Sequence, residues 1–354
     1  MRPGKGSRPR TRIRPAHEDA VTALVTAVDR GRYRCLVQDD SGDREVTAMR
    51  ARELGRKSVV VGDRVDLVGD VSGKTDTLAR IVRIQARTST LRRTADDTDP
   101  FERVIVANAD QLAIVAALAD PEPRPGLIDR QLVAAYDAGM EPLLVLTKAD
   151  LTSPASLLEI YAPLGVPYVV TERGGELTEL RELLAGRVTV LVGHSGVGKS
   201  TLVNALVPDA DRAVSHVNAV TGRGRHTSSS ALALELPDAA GWIIDTPGVR
   251  SFGLAHVKPE NVIDAFEDLA EGAAERCPPQ CDHLQADCGL DSWVADGHAG
   301  QARLDSLRRL LRTREGESDQ PERSAEEQPI WAPGEPPRQA PDDLDEPDER
   351  AADE

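Results

Sequence analysis

The run Gly193-His194-Ser195-Gly196-Val197-Gly198-Lys199-Ser200-Thr201 constrains this chain more than any other stretch. It follows the apolar segment Val188-Thr189-Val190-Leu191-Val192 and precedes Leu202-Val203-Asn204-Ala205-Leu206, an order that reads as strand, glycine loop and helix start. The glycine spacing ahead of Lys199-Ser200 is that of a P-loop. There, glycines let successive backbone N–H groups converge on phosphates, and the helix N-terminus adds its positive end. In that reading Lys199 reaches the outer phosphates and Ser200 holds Mg²⁺. The chain has only six lysines against a large excess of arginine, so an ammonium at position 199 points to a site that wants a compact charge.

With 354 residues, 40% of them hydrophobic and 29% charged, the chain has room for two or three domains with cores of their own. No apolar run approaches the roughly 20 residues of a membrane span, and the Arg- and Pro-rich start lacks the apolar segment of a signal peptide. A cytoplasmic protein without a membrane partner is expected. The four cysteines are one lone residue, Cys35, and a tight trio, Cys277, Cys281 and Cys288, which suits a metal site better than a disulfide framework. The net charge is −16, but residues 315–354 hold 15 acidic and three basic side chains, so −12 sits in the tail. The first 14 residues carry six Arg or Lys and no acid, and the charge sum does not exclude RNA.

Residues 1–16 are a basic arm and 315–354 an acidic, Pro-rich tail; both are expected to be disordered, with Trp331 the tail's one candidate anchor. Residues 17–90 hold β-rich runs at Ala20–Val28, Tyr33–Gln38, Glu45–Met49, Ser58–Val68 and Leu78–Ile84, spaced as in a small barrel. Five strands suit an OB-fold, a frequent reader of single-stranded nucleic acid. Tyr33 is the only aromatic residue there, so RNA binding would rest on arginines such as Arg80, Arg83, Arg87, Arg92 and Arg93; a β-domain with a charged solvated face fits the same residues. From about Phe101 strands and helices alternate. Strands are expected at Leu112–Ala116, Leu143–Leu146, Tyr168–Val170, Val188–Val192 and Trp242–Ile244, which predicts a parallel sheet with helices on its faces.

Two more motifs sit at carboxyl ends of these strands, where such sheets bind ligands. Thr147-Lys148-Ala149-Asp150 resembles the guanine-reading [NT]KxD motif, whose Asp accepts from the N1–H and 2-amino group of guanine. Asp245-Thr246-Pro247-Gly248 resembles DxxG, whose Asp supports Mg²⁺ and whose Gly N–H senses the γ-phosphate. In ordinary GTPases the base-reading motif comes last; here it comes first, so a GTPase reading requires a circularly permuted G domain. Between P-loop and DxxG, the glycines of Thr221-Gly222-Arg223-Gly224-Arg225-His226-Thr227-Ser228-Ser229-Ser230 suggest a switch ordered by γ-phosphate and Mg²⁺, with Thr227 the first candidate for the Mg²⁺-contacting hydroxyl and Ser228 the second. Val249 stands where many small GTPases carry a water-orienting Gln, which leaves His226 as the catalytic candidate and predicts slow hydrolysis without a partner.

Cys277, Cys281, His283 and Cys288 supply four soft ligands within twelve residues, the donor set of a closed, structural Zn²⁺ site. The segment has little core of its own, so the metal is expected to fold it. A helix follows over about Gly300–Thr313, with Leu304, Leu307, Leu310 and Leu311 as its apolar stripe and Arg303, Arg308, Arg309 and Arg312 outside it, as a solvated face or an RNA contact.

A β-barrel, a permuted G domain with GxSGVGKS, GxxHT and DTPGVRxF motifs and a Cys/His segment together resemble the bacterial RsgA (YjeQ) GTPases, over roughly Ala20–Thr313. The resemblance implies a multidomain fold. An OB-fold barrel spans 17–90, a circularly permuted α/β P-loop GTPase domain 97–254, and a zinc-binding segment with a C-terminal helix 255–314. It implies GTP hydrolysis to GDP stimulated by the small ribosomal subunit, late in that subunit's maturation, with barrel and zinc segment on rRNA; a monomer is expected. Residue by residue it assigns the Thr147-Lys148-Ala149-Asp150 motif to guanine, Gly193 to Thr201 to phosphates and Mg²⁺, Asp245 and Gly248 to the DxxG role, His226 to catalysis, and Cys277, Cys281, His283 and Cys288 to one zinc. The family's zinc segment usually has gaps of four and five residues around C-x-H; here both are one shorter. The rival readings are a permuted GTPase of large-subunit assembly, which would share the three motifs without these flanks, and an RNA-binding module with a vestigial nucleotide site.

Overall fold

The computed structural model describes residues 17–55, 58–93, 103–208, 210, 231–246, 254, 256–285 and 288–314. The basic arm, the acidic tail with Trp331, and the switch with His226 and Thr227 lie outside the described residues, as does Gly248.

Alternating apolar residues build the first strands: β1 (Val21–Asp29), β2 (Arg32–Asp39), β3 (Gly42–Arg50), β4 (Arg64–Gly69) and β5 (Ala79–Ile84). Their order is β1-β2-β3-β5-β4, and β4 pairs back onto β1, so the sheet closes into a five-stranded barrel. Every pair is antiparallel except β3–β5. Val25, Cys35, Val37, Val46, Val65, Leu67 and Ile81 fill its interior, each fully buried. Tyr33 is buried there too, so the one barrel aromatic is core and not a stacking platform. The strand expected over Ser58–Val68 begins only at Arg64. At Gly62 the chain adopts φ +88°, and a Cβ there would lie 2.0 Å from Ala107 O, so the backbone turns where only glycine fits.

Two strands join barrel to sheet: β6 (Thr90–Arg93) and β7 (Arg103–Ala107) pair antiparallel, and Val61 bridges Val106. The main sheet then assembles from β8 (Gln111–Ala117), helix α1 (Pro125–Asp137), β9 (Glu141–Thr147), α2 (Ala155–Tyr161), β10 (Tyr168–Val170), α3 (Thr178–Leu184), β11 (Val188–Gly193), α4 (Lys199–Leu206), β12 (Leu232–Glu235) and β13 (Trp242–Asp245). Its order is β10-β9-β8-β11-β13-β12, parallel apart from β12. β8, β9 and β11 are near-continuous apolar runs because both their faces are covered. α3 and α4 pack on one face through Leu180, Leu184, Leu202 and Val203.

The other face carries α1, α2 and the C-terminal helices α5 (Pro259–Ile263), α6 (Glu267–Arg276), α7 (Gly289–Ala295) and α8 (Gln301–Arg314) in one continuous core. Leu290, Trp293, Leu304, Leu307 and Leu310 are buried with Leu132, Leu157 and Tyr161 of the sheet domain. The expectation that a metal alone would fold this segment is therefore corrected: its apolar residues are buried against the sheet domain.

The arginines of α8 are also reassigned. Arg303 places Nε 2.8–2.9 Å from both carboxylate oxygens of Asp268 and caps the carbonyls of Pro163 and Leu164; Arg309 donates to Asp129. Arg308 forks onto Asp291 at 2.9 and 2.7 Å. Of the four, Arg312 is exposed. In the barrel, Arg83 pairs with Asp66 and Arg87 with the fully buried Asp63, so these two serve the barrel's own architecture.

Candidate nucleotide and metal sites

The parallel registers Gly193↔Val115, Ala117↔Thr147 and Leu191↔Asp245 bring the ends of β11, β8, β9 and β13 to one edge of the sheet. The three sequence motifs therefore meet although they lie far apart in the chain. At Gly193 a Cβ would fall 2.6 Å from Val115 O, so the strand can pass this close to β8 only without a side chain. Gly196 (φ +86°) and Gly198 (φ +91°) turn the loop through left-handed conformations, and Gly198 caps α4. α4 thus begins at the cleft, where the first backbone N–H groups of a helix have no partner within it.

Lys199 Nζ donates to Asp245 Oδ1, which joins P-loop and DxxG directly. Buried Thr147 donates to Val197 O at 2.6 Å and so ties the end of β9 to the P-loop. Buried Thr246 donates to Leu191 O at 2.7 Å. Lys148 (φ +62°) donates to Asp120 O, and the backbone N–H of Ala149 bonds Thr171 O at 3.2 Å. Asp150 is exposed on the wall of a cleft of about 510 Å³ whose lining also includes Lys148, Gly196, Gly198 and Thr201. Ser200, in the first turn of α4, is exposed beside Lys199. His194 donates from Nδ1 to Ser195 O at 2.8 Å, leaving Nε2 to accept from Arg124 at 3.4 Å.

The far wall of the cleft is Thr171-Glu172-Arg173-Gly174-Gly175, the loop after β10. Sequence reasoning passed over it, although its place at a strand end followed by two glycines was the available signal.

The four residues expected to hold zinc converge as well. The donor atoms of Cys277, Cys281, His283 and Cys288 lie within 4.8 Å of one another. Cys288 Sγ is 3.6 Å from Cys277 Sγ and 3.8 Å from Cys281 Sγ, and His283 Nδ1 is 3.6 Å from both Cys277 and Cys288. Tetrahedral Zn²⁺, with bonds of about 2.3 Å to sulfur and about 2.0–2.1 Å to nitrogen, implies donor–donor edges of roughly 3.5–3.8 Å, which these match. The shortened gaps thus still bring four donors close enough to hold one ion. Left-handed turns at Gln280 (φ +66°) and His283 (φ +61°) accommodate them. Burial pushes the Cys288 thiol up to about 12 and holds the His283 imidazole neutral to lower pH, so ionising this thiol set would take a cation such as a bound dication. Arg308 donates to His283 O (2.9 Å) and Gln285 O (3.2 Å) while gripping Asp291, a brace from α8 to the ligand loop.

A small ribosomal subunit biogenesis GTPase RsgA of Pseudomonas aeruginosa is 37% identical over 284 residues, covering 78% of this chain and 81% of that protein. The chain belongs to the RsgA GTPase family. The RsgA GTPase family model matches residues 84–255. The crystal structure of YjeQ from Thermotoga maritima superposes with a TM-score of 0.60 at 25% identity, over 84% of this chain and all of that one. YloQ, described as a circularly permuted GTPase, superposes at 0.61 over 87% of this chain and all of that one, and at 22% identity it bears on the fold alone. Membership makes this RsgA-family chain a GTP hydrolase that works with Mg²⁺, and the order of motifs along its sheet is the permuted one. Among the described residues no helix is long and apolar enough to cross a membrane.

Proposed function

We propose that this GTPase binds the small ribosomal subunit and its rRNA, and couples subunit-stimulated hydrolysis of GTP to GDP to late maturation of that subunit in the cytoplasm, acting as a monomer. The observation that carries the reading is the packing of a closed barrel and a Cys3His segment around a permuted nucleotide site, in a chain whose relative is named for small-subunit biogenesis. A large-subunit GTPase has no call on those flanks, and a vestigial site would not need the Lys199–Asp245 contact or an open cleft. The working division is 17–90 for the barrel, 97–254 for the G domain and 255–314 for the zinc segment, with 1–16 and 315–354 as arm and tail.

In this reading Asp150 accepts the N1–H and 2-amino donors of guanine, a pattern adenine lacks, so adenine leaves the carboxylate unpaired. Lys199 exchanges Asp245 for the outer phosphates, and the N–H groups of Gly193 to Thr201 hold the rest. Ser200 and Thr227 would hold Mg²⁺, with Asp245 behind them. When bound, the ion neutralises charge developing on the phosphate oxygens. Gly248 N–H senses the γ-phosphate, and His226 orients the attacking water, since Val249 cannot. Cys277, Cys281, His283 and Cys288 hold one structural Zn²⁺.

GTP turnover measured with and without small subunits tests the reading. Intrinsic turnover should be slow and the subunit should raise it. His226→Ala should remove roughly 10²–10⁴ of the stimulated rate while GTP affinity and subunit binding persist. A wild-type chain indifferent to small subunits overturns the coupling, and full stimulation of His226→Ala overturns the catalytic assignment.

A further inference from the structure

His194 stands in the P-loop between Gly193 and Ser195, on the side of the sheet that α1 covers. With Arg124, Gln131 and Val197 it lines a cavity of about 20 Å³ there, whereas Gly196, two residues on, lines the cleft on the face that α3 and α4 cover. The imidazole Nδ1 donates to Ser195 O at 2.8 Å, and Nε2 accepts from Arg124 Nη1 at 3.4 Å. A guanidinium can only donate, so the ring nitrogen it meets is the unprotonated one. The contact with Arg124 therefore puts the ring proton on Nδ1, where it bonds Ser195 O.

The loop before α1 is built to hold that arrangement. Arg124 lies between Pro123 and Pro125 with extended backbone, φ −115° and ψ 91°, so little chain freedom is lost in presenting its side chain. Lys148 donates to Asp120 O, and Pro121 Cδ would lie 3.6 Å from a Cβ on Gly196, so this loop rests directly on the P-loop. Among the described residues Arg124 forms no ion pair with a carboxylate, which leaves its donors to the imidazole. The Ser195–Gly196 peptide is trans, so its carbonyl and its N–H point in opposite directions. With Ser195 O held toward the imidazole, Gly196 N–H is directed away from the α1 side and toward the cleft that Gly196 lines.

We propose that His194, kept in its Nδ1–H tautomer by Arg124, is a positioning residue that locks the Ser195–Gly196 peptide with its N–H aimed at the phosphate chain of the nucleotide. This rests on the phosphate-binding reading of the P-loop given above and adds the side chains that set one of its donors. Without the imidazole this peptide is free to flip, because Gly196 tolerates both signs of φ. A donor fixed beforehand costs no reorganisation as charge builds on phosphate oxygens, and in a loose transition state the leaving diphosphate gains charge. The pair should therefore act on turnover more than on affinity.

Steady-state GTPase kinetics and nitrogen-15 NMR of the histidine-labelled full chain, with Mg²⁺ and GDP, test the proposal. The His194 resonances, assigned by their loss in His194→Gln, should show a protonated Nδ1 and an unprotonated Nε2, and Arg124→Ala should bring in the Nε2–H form. His194→Ala should lower kcat by about tenfold or more while KM for GTP stays within about threefold of wild type. His194→Gln, whose amide both donates and accepts, should recover most of that loss. Arg124→Ala leaves the P-loop sequence intact and serves if His194→Ala folds poorly; it should lower kcat by about threefold. A wild-type Nε2–H tautomer, wild-type kcat in His194→Ala, or no recovery in His194→Gln overturns the proposal. Lys199→Ala separates it from the reading on which it rests: undiminished GTP binding by that variant would remove the phosphates from the P-loop, whatever the tautomer of His194.

Discussion

Gly193 shows how a single residue type decides whether the nucleotide site can exist. Its missing side chain lets β11 end against Val115 O, a backbone atom fixed within the central sheet and unable to move aside. Gly193→Ala should therefore cost about 1–3 kcal/mol of stability through overpacking and weaken GTP binding with it. Thermal melts and a fluorescent-nucleotide titration read the two effects. Asp150 has a different kind of necessity in the proposed reading, in which its carboxylate, exposed on the cleft wall, serves recognition. Asp150→Asn reverses half of the acceptor pattern, so GTP should lose about 1–3 kcal/mol of binding while xanthosine triphosphate gains. Competition among GTP, ATP and xanthosine triphosphate measures this, and equal binding of ATP and GTP by the unmodified chain would remove the assignment. His226 and Thr227 were legible only as residue types in a glycine-rich loop, since nothing local sets where such a loop places a hydroxyl or an imidazole.

At the scale of elements, the Cys3His loop was readable from spacing, while its support was not. The ligand spacing along the chain is a local property, but the brace from Arg308 to His283 O and Asp291 spans α8 and the loop. Because α7 and α8 share a core with the sheet, removal of metal should loosen residues 277–288 and leave α8 in place. Elemental analysis should find about one zinc per chain. A chelator should lower the melting temperature and raise protease sensitivity within 277–288, with GTP affinity retained. Retention of full stability by a metal-free sample would count against the zinc assignment. The five barrel strands were visible as alternation, and the one misread stretch, residues 58–63, failed because buried Val59, Val60 and Val61 look like a strand. Asp63 accepting from Val60 N–H at 2.8 Å makes it a turn instead.

For the whole molecule, one of the contacts that fasten the C-terminal helix to the sheet domain is Arg309 with Asp129 at 2.9 Å, between residues 180 positions apart. The two sides are unequal: the Asp129 side chain is 3% exposed and that of Arg309 33%. Burial outweighs the nearby guanidinium and raises the Asp129 pKa, so the ionised carboxylate is the strained partner. Arg309→Met should cost about 3–5 kcal/mol at neutral pH because it leaves that carboxylate buried and unpaired. Asp129→Asn should cost less, since the freed guanidinium can be hydrated. A group with a raised folded-state pKa favours the fold while protonated and loses that contribution as pH rises through the folded pKa. The deficit of Arg309→Met should accordingly shrink as pH falls toward about 4. Denaturant melts of both variants between neutral and acid pH would show it, and a pH-independent deficit would contradict the account.

What the sequence determined by itself is what short spacing along a chain can encode. The glycine pattern around Lys199, the strand-end tetrads at Thr147 and Asp245, and the spacing of Cys277, Cys281, His283 and Cys288 each specify a donor set. Their inverted order alone required a permuted sheet. Only the tertiary structure decided how these pieces are held. It assigned Arg87, Arg303, Arg308 and Arg309 to internal carboxylates, exposed the loop after β10 as a cleft wall, and set Arg124 against His194 of the P-loop. Such partnerships leave no periodic trace, because an ion pair between distant segments depends on how two elements dock and not on the residues beside either charge.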